Sequence, residues 1–265
     1  MINPDDKLDG ARIRAASGLS EQRFVLELRD ACPSTNSTIL ELALPARGVL
    51  QLLACESQTA GRGRRGRSWL SWGTGSLTFS ARWQFRPGNA APAGLSLAAG
   101  VAVAQALEGM GVRGVALKWP NDILLDGAKL GGILTELATD SAGAMSAVIG
   151  IGLNLRHNDT CLPDVSIAAL DDVLQPPPDR SALLGACAAQ LAAMLEAFAS
   201  SGFAAYRQAW QARNAHVGRL VRVSGEMGAE REGLCVGVDD DGAMLIEAHG
   251  LPVRILSGDV TLRPA

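Results

Sequence analysis

Apolar and polar positions succeed one another along this chain in patterns that change from strand-like to helical and back. Residues 49–55 are a short, nearly continuous apolar run of the kind that forms a buried strand. Leu77, Phe79, Ala81 and Trp83 alternate with small or polar residues, which predicts another strand. Residues 94–110 are alanine-rich and predict a helix. Ser34 and Thr35 are good N-cap residues for a helix through Ile39, Leu40 and Leu44 that must stop before Pro45. Residues 115–119 and 123–125 predict short strands around a break at Pro120 and Asn121, and Asp126 with Gly127 is a hairpin signal. Residues 130–137 and 147–153 predict two more strands. Residues 21–30 read as a helix, as do 203–213 and a long apolar segment capped by Ser181 and reaching Phe198, just beyond the prolines at 176–178.

From about His216 the texture changes. Short alternating segments are separated by Gly and Asp turns, which predicts a small all-β barrel. The expected organisation is therefore a lead-in at 1–33, a large α+β domain at 34–214 and a β-rich domain at 215–265. Composition fits this: 48% of 265 residues are hydrophobic, enough for a sizeable core. The net charge of −3 gives no global attraction to nucleic acid or an anionic membrane. Cys32, Cys55, Cys161, Cys187 and Cys235 are scattered without a C-x-x-C pair, which predicts reduced thiols and a cytoplasmic protein. The beginning, with Asp5, Asp6 and Lys7, carries no apolar signal region, and the apolar stretch around 95–107 is too short to span a bilayer.

Four segments carry candidate chemistry. Residues 61–67, Gly-Arg-Gly-Arg-Arg-Gly-Arg, combine glycines that let the backbone approach a ligand with four guanidiniums suited to carboxylate and phosphate oxygens. Such a loop repels itself when empty and is expected to order around a polyanion; a solvated basic turn or an RNA-binding tract is the alternative. Trp69 offers a flat face to a nucleobase. Lys118-Trp119-Pro120-Asn121-Asp122 aims polar groups away from a strand end, although a plain Asn-Asp turn reads the same way. Lys129 precedes Gly131 and Gly132, a pair that marks a bulge or a close backbone approach, or else a flexible hairpin end. Gly150-Ile151-Gly152-Leu153-Asn154 closes a strand. The only lysines in the chain are Lys7, Lys118 and Lys129, so two of the three fall in these segments.

Taken in order, Ser34-Thr35-Asn36, Gln58, the Gly/Arg loop, and the segments at 118–122, 129–134 and 150–154 resemble the catalytic domain of biotin–protein ligases. The resemblance runs from about Pro33 to Arg213, and the β-rich tail is similar to that family's small SH3-like domain. It implies a class II synthetase-like mixed sheet shared with lipoate ligases. It also implies an enzyme that joins biotin to AMP with ATP and Mg²⁺, then transfers biotin to a lysine of a biotin carboxyl carrier domain of a carboxylase. By resemblance, Ser34, Thr35, Asn36, Gln58, Arg62, Gly63, Arg64, Lys129, Gly131 and Gly132 bind biotin. Arg64, Trp69, Lys118, Asn121, Lys129, Asn154 and Arg263 bind the nucleotide. Lys129, Arg62, Arg64, Lys118 and Asp122 are the expected catalytic groups, with Mg²⁺ held mainly through the nucleotide phosphates.

Some members of the family carry an N-terminal winged helix. Here 33 residues precede the Ser-Thr-Asn segment, so the expectation is a ligase that binds neither DNA nor membrane, with a homodimer left open. The rival readings are a lipoate or octanoate ligase of the same architecture and an RNA-binding module. The acidic net charge and single basic segment weigh against the RNA-binding module.

Overall fold

The computed structural model describes residues 7–86, 92–139, 143–157, 166–225 and 230–262. Its main body is a seven-stranded sheet of β1 (Phe24–Cys32), β2 (Leu50–Gln58), β3 (Ser76–Gln84), β4 (Val115–Lys118), β5 (Asp122–Leu125), β6 (Ala128–Thr139) and β7 (Met145–Asn154). The spatial order is β1-β2-β3-β7-β6-β5-β4. β1 and β2 run parallel and every other neighbouring pair is antiparallel, which makes the sheet mixed.

Strand alternation divides the molecule into a core side and a site side. Leu77, Phe79, Ala81 and Trp83 of β3 join the main core with α1 (Gly10–Ser17), α3 (Leu95–Gly109) and α4 (Arg180–Ser201). Thr78, Ser80 and Arg82 alternate with them and face the other way. On that side α2 (Thr35–Glu41) packs over a small cluster of Cys32, Ile39, Leu53, Cys55 and Val148. α4 is long and apolar enough to cross a membrane by length and composition. It is instead a core helix, with Leu183, Leu184, Leu191 and Leu195 fully buried.

The expected helix at 21–30 is corrected. Phe24, Leu26 and Leu28 alternate with Val25, Glu27 and Arg29, and the segment pairs with β2 as an edge strand. The first helix lies earlier, where the Asp9 side chain accepts from the amides of Ala11 and Arg12 and Gly18 closes the end at φ 61°. α2 stops at Glu41, with Leu42 already extended. Asp179, not Ser181, caps α4 through the amide of Ala182.

The β-rich tail is a five-stranded antiparallel sheet of β8 (Leu220–Ser224), β9 (Glu230–Val238), β10 (Met244–Ala248), β11 (Leu251–Ile255) and β12 (Asp259–Leu262). Its order is β11-β10-β9-β8-β12, and no ladder joins the two outer strands among the described residues. Several contacts dock it. The buried Trp119 indole donates to Gly242 O at 3.0 Å. Arg207 of α5 (Ala204–Gln211) donates to Val238 O at 3.0 Å. Backbone bonds from Leu117 N to Arg213 O (2.7 Å) and from Ala215 N to Leu117 O (2.9 Å) tie the connecting chain to β4. β12 thereby reaches the site side of the large sheet.

Candidate active site

A cleft of about 330 Å³ opens on the α2 side of the sheet. One half of it is a neutral polar floor. The first turn of α2 brings in Ser34, Thr35 and Asn36, all nearly inaccessible. Gln58, at the end of β2, accepts from the Thr35 amide at 2.8 Å and lies 3.2 Å from its hydroxyl. Ser80 is fully buried beneath them, 2.6 Å from Asn36 Oδ1 and 2.7 Å from Thr35 Oγ1. With one hydroxyl proton it donates to the Asn36 carbonyl and can accept from Thr35. The Asn36 amide nitrogen donates to Leu134 O (3.2 Å) and Glu136 Oε2 (2.7 Å). Gly150 completes the floor because nothing larger fits: an added Cβ would overlap the Asn36 side chain.

The other half is cationic. The Gly/Arg loop is closed on itself by Trp69 N to Gly61 O (2.9 Å) and Gly63 N to Arg67 O (2.6 Å). It turns at Arg65 and Gly66, both with positive φ. Arg62 pairs with Glu136 at 2.7 Å, so this carboxylate links the loop to Asn36 of the floor. Arg64 donates to Asn121 Oδ1 at 3.2 Å. Arg64, Arg65 and Arg67 converge on Asp259 of β12 at 3.9, 3.4 and 2.6 Å. Burial is the largest influence on the Arg64 guanidinium and lowers its pKa, while Asp259 opposes that shift.

Lys129 enters the cleft because of a bulge. Ile123 pairs with Gly131, but the next residue, Leu124, pairs with Lys129, leaving Leu130 as the extra residue in β6. The shift puts Lys129 on the same side as Asp122 and Gly132. Lys129 Nζ meets Asp122 Oδ1 at 2.7 Å, and Lys118 Nζ lies 3.8 Å from Asp122 Oδ2. Asp122 thus sits between two ammoniums as their counter-ion. Asn121 is fixed by its side-chain donation to Ile133 O at 2.9 Å.

Most of the expected residues therefore line one cleft: Ser34, Thr35, Asn36, Gln58, Arg62, Gly63, Arg64, Trp69, Lys118, Asn121, Asp122, Lys129 and Gly132. Two do not. Gly131 faces away, where an added Cβ would crowd Gly152 O. Asn154 is buried and donates to Ala168 O (3.1 Å) and Lys129 O (3.4 Å), so it braces the backbone behind Lys129. Arg263 lies outside the described residues. The Trp69 ring lies over Gly132 and Gly152, and its buried indole N–H has no acceptor among the described residues. Three participants were missed from the sequence: Ser80, Glu136 and Asp259. Ser80 could have been found from the alternation that places Thr78 and Arg82 opposite the apolar positions of β3. Nothing local marks Glu136 or Asp259, whose partners are 74 and 192 residues away.

Among the described residues the only close group of three candidate metal ligands is His157, Asp171 and Asp172, none of which lines the cleft. The cleft has two carboxylates, Asp122 between two ammoniums and Asp259 among three guanidiniums, and each is already taken up by cations, a poor cage for a bare divalent ion. Its guanidiniums and ammoniums fit a polyanion that brings its own ion.

A model of the Biotin/lipoate A/B protein ligase family matches residues 31–154. The chain is 36% identical over 214 residues to the Bifunctional ligase/repressor BirA of Escherichia coli (strain K12), a match covering 79% of this chain and 65% of that protein. It is 36% identical over 225 residues to the Biotin--[acetyl-CoA-carboxylase] ligase of Paracoccus denitrificans, covering 80% of this chain and 90% of that one. Among solved structures it is similar to the biotin protein ligase from Aquifex aeolicus in complex with biotin and ATP. The TM-score there is 0.75 and the identity 28%, covering 92% of this chain and 99% of that one.

Proposed function

The chain belongs to the biotin protein ligase family, and we propose that it activates biotin with ATP as biotinyl-5′-AMP and transfers biotin to a lysine of a biotin carboxyl carrier domain. The observation that carries this reading is the division of the cleft into a neutral hydrogen-bonding floor and a cationic half bridged by Lys129. We read residues 34–214 as the catalytic unit and 215–265 as the domain that closes over it.

The ureido ring of biotin is neutral and needs both donors and acceptors. Ser34, Thr35, Asn36 and Gln58 supply them in fixed orientation. The biotin carboxylate then points toward Lys129. Joining it to the α-phosphorus of ATP requires two anions to meet. One carboxylate oxygen forms the new P–O bond, the bond from the α-phosphorus to the bridging oxygen breaks, and pyrophosphate leaves with that electron pair. Lys129, Lys118, Arg62 and Arg64 screen the approach and stabilise the charge that spreads over the phosphorus oxygens. Mg²⁺ accompanying the nucleotide would supply further offset of the phosphate charge. Trp69 offers its ring to adenine.

In the second step the carrier lysine amine attacks the acyl carbon, the acyl–oxygen bond breaks and AMP leaves. The amine must lose a proton. Asp122, freed when Lys129 turns to the substrate carboxylate, is the group we assign to receive it. The test is labelling of a purified carrier domain with biotin, ATP and Mg²⁺, read by streptavidin blot, with lipoate in parallel. Biotin labelling by the wild type is expected. Transfer of lipoate instead would move the function to the sister activity, and transfer of neither would end the ligase reading.

A further inference from the structure

The geometry points to Asp259 as a positioning residue for the nucleotide: it gathers Arg64, Arg65 and Arg67 over the cleft and releases them to the incoming triphosphate. This inference rests on the adenylate-forming reading of the cleft.

Asp259 begins β12 and lines the cleft together with Val260 and Thr261. Its two oxygens serve three guanidiniums, which leaves a surplus of positive charge at that end of the loop. Among the described residues no other carboxylate lies within 4.0 Å of these three arginines, whereas Arg62 is held separately by Glu136. The loop's tendency to repel itself is therefore offset by two carboxylates, one at each end. Only Asp259 belongs to the other domain.

A carboxylate presents guanidinium with the same pair of oxygens that a phosphate does. Asp259 thus holds the arginines near the arrangement that phosphates require. The hold is also releasable. Arg67, at the shortest of the three contacts, has 71% of its side chain exposed, and ion pairs of that kind are weak and screened by salt. A triphosphate carrying several charges displaces one carboxylate from the arginines, and the carboxylate recaptures them when pyrophosphate departs.

The test combines limited trypsin digestion of the full-length protein without ligand with steady-state adenylation kinetics, comparing wild type, Asp259→Asn and Asp259→Glu. Trypsin cuts after arginine, so loop cleavage reports how firmly the loop is held. Asp259→Asn should be cut in the loop about fivefold faster when empty, and its KM for ATP should rise about tenfold, because the triphosphate must then order three long side chains and their loop itself, a cost that exceeds the three weak pairs it no longer has to break. KM for biotin and kcat should stay within about twofold, because the floor and Lys129 are untouched. Asp259→Glu should recover most of both effects. Raising NaCl should speed loop cleavage in the wild type but not cleavage of a control peptide, a reading that needs no variant to fold.

Equal digestion of folded wild type and Asp259→Asn overturns the proposal, as does an unchanged or lowered KM for ATP. Digestion needs no turnover, so the two readings fail separately. Faster cutting of the variant with no adenylation by either protein would sink the ligase reading alone. Equal cutting with normal adenylation would sink the role of Asp259 alone.

Discussion

The two halves of the cleft are held by different physics. The floor rests on short hydrogen bonds among side chains that water scarcely reaches: Ser80, Thr35 and Asn36 are buried, with contacts of 2.6 and 2.7 Å. The loop rests on ion pairs to Glu136 and Asp259, with side chains such as Arg67 largely in solvent. Buried hydrogen bonds are lost at a high cost when one partner goes missing, and exposed ion pairs are individually weak. A neutral ring that must be told apart from close analogues is met by the stiff half. A polyanion whose shape changes during the reaction is met by the half that can rearrange.

Lys129 stands where the halves meet, and its loss should have the largest effect. Lys129→Ala removes the ammonium that the bulge aims at the reacting centre and leaves Asp122 with the more distant Lys118. Adenylate formation, followed by pyrophosphate release, should fall by about 10²–10³, the usual result of removing one preorganised donor. A loss confined to KM for biotin, with kcat intact, would return Lys129 to the binding floor and break the division.

Ser80→Ala attacks the floor without touching a ligand. It leaves Asn36 Oδ1 and Thr35 Oγ1 without their shared partner in a buried place. A lost bond of this kind is worth about 1–3 kcal/mol, so biotin binding measured by calorimetry should weaken about tenfold. KM for ATP should not move. Salt gives the converse experiment. Between low and physiological ionic strength, ATP binding should weaken by a few-fold while biotin binding weakens less, because biotin brings a single carboxylate and its ring rests on the unscreened floor. Equal salt dependence for both ligands would deny the comparison.

The stiff half was the more legible in the sequence. Ser34 and Thr35 stood out because an N-cap is a local feature, the pair Gly131 and Gly132 marked a bulge or close backbone approach, and Asn36 and Gln58 were reached through the family resemblance. The charges of the loop were equally plain, but their partners were not. Glu136 is the lone acidic residue of β6, with nothing beside it to suggest a partner, and Asp259 follows a glycine in an unremarked turn. Pairing across 74 and 192 residues is set by sheet order and domain docking, which no local pattern records. The misread strand at 24–32 has a similar cause. Its alternation is short and half-exposed, and its parallel partner begins 18 residues later, beyond an intervening helix.

An effect on stability, with no direct effect on either ligand, lies behind the charged half, at His216. This side chain is buried, and its Nδ1 has no partner among the described residues. Burial, with Lys118 and Arg219 adding to it, pushes the imidazole from its ordinary 6.5 down to about 4. The unfolded chain therefore takes up a proton near pH 6.5 that the folded protein refuses until about pH 4. The contribution is fully present above the unfolded value and is lost as pH falls through the window between the two. It amounts to a loss on the order of 2 kcal/mol by about pH 5. Melting curves at pH 7 and pH 5 should show a drop in wild type that His216→Gln lessens, since glutamine has no proton to gain. If the variant loses as much stability as the wild type over that interval, the acid sensitivity arises elsewhere. The support behind Lys118 would then be indifferent to pH.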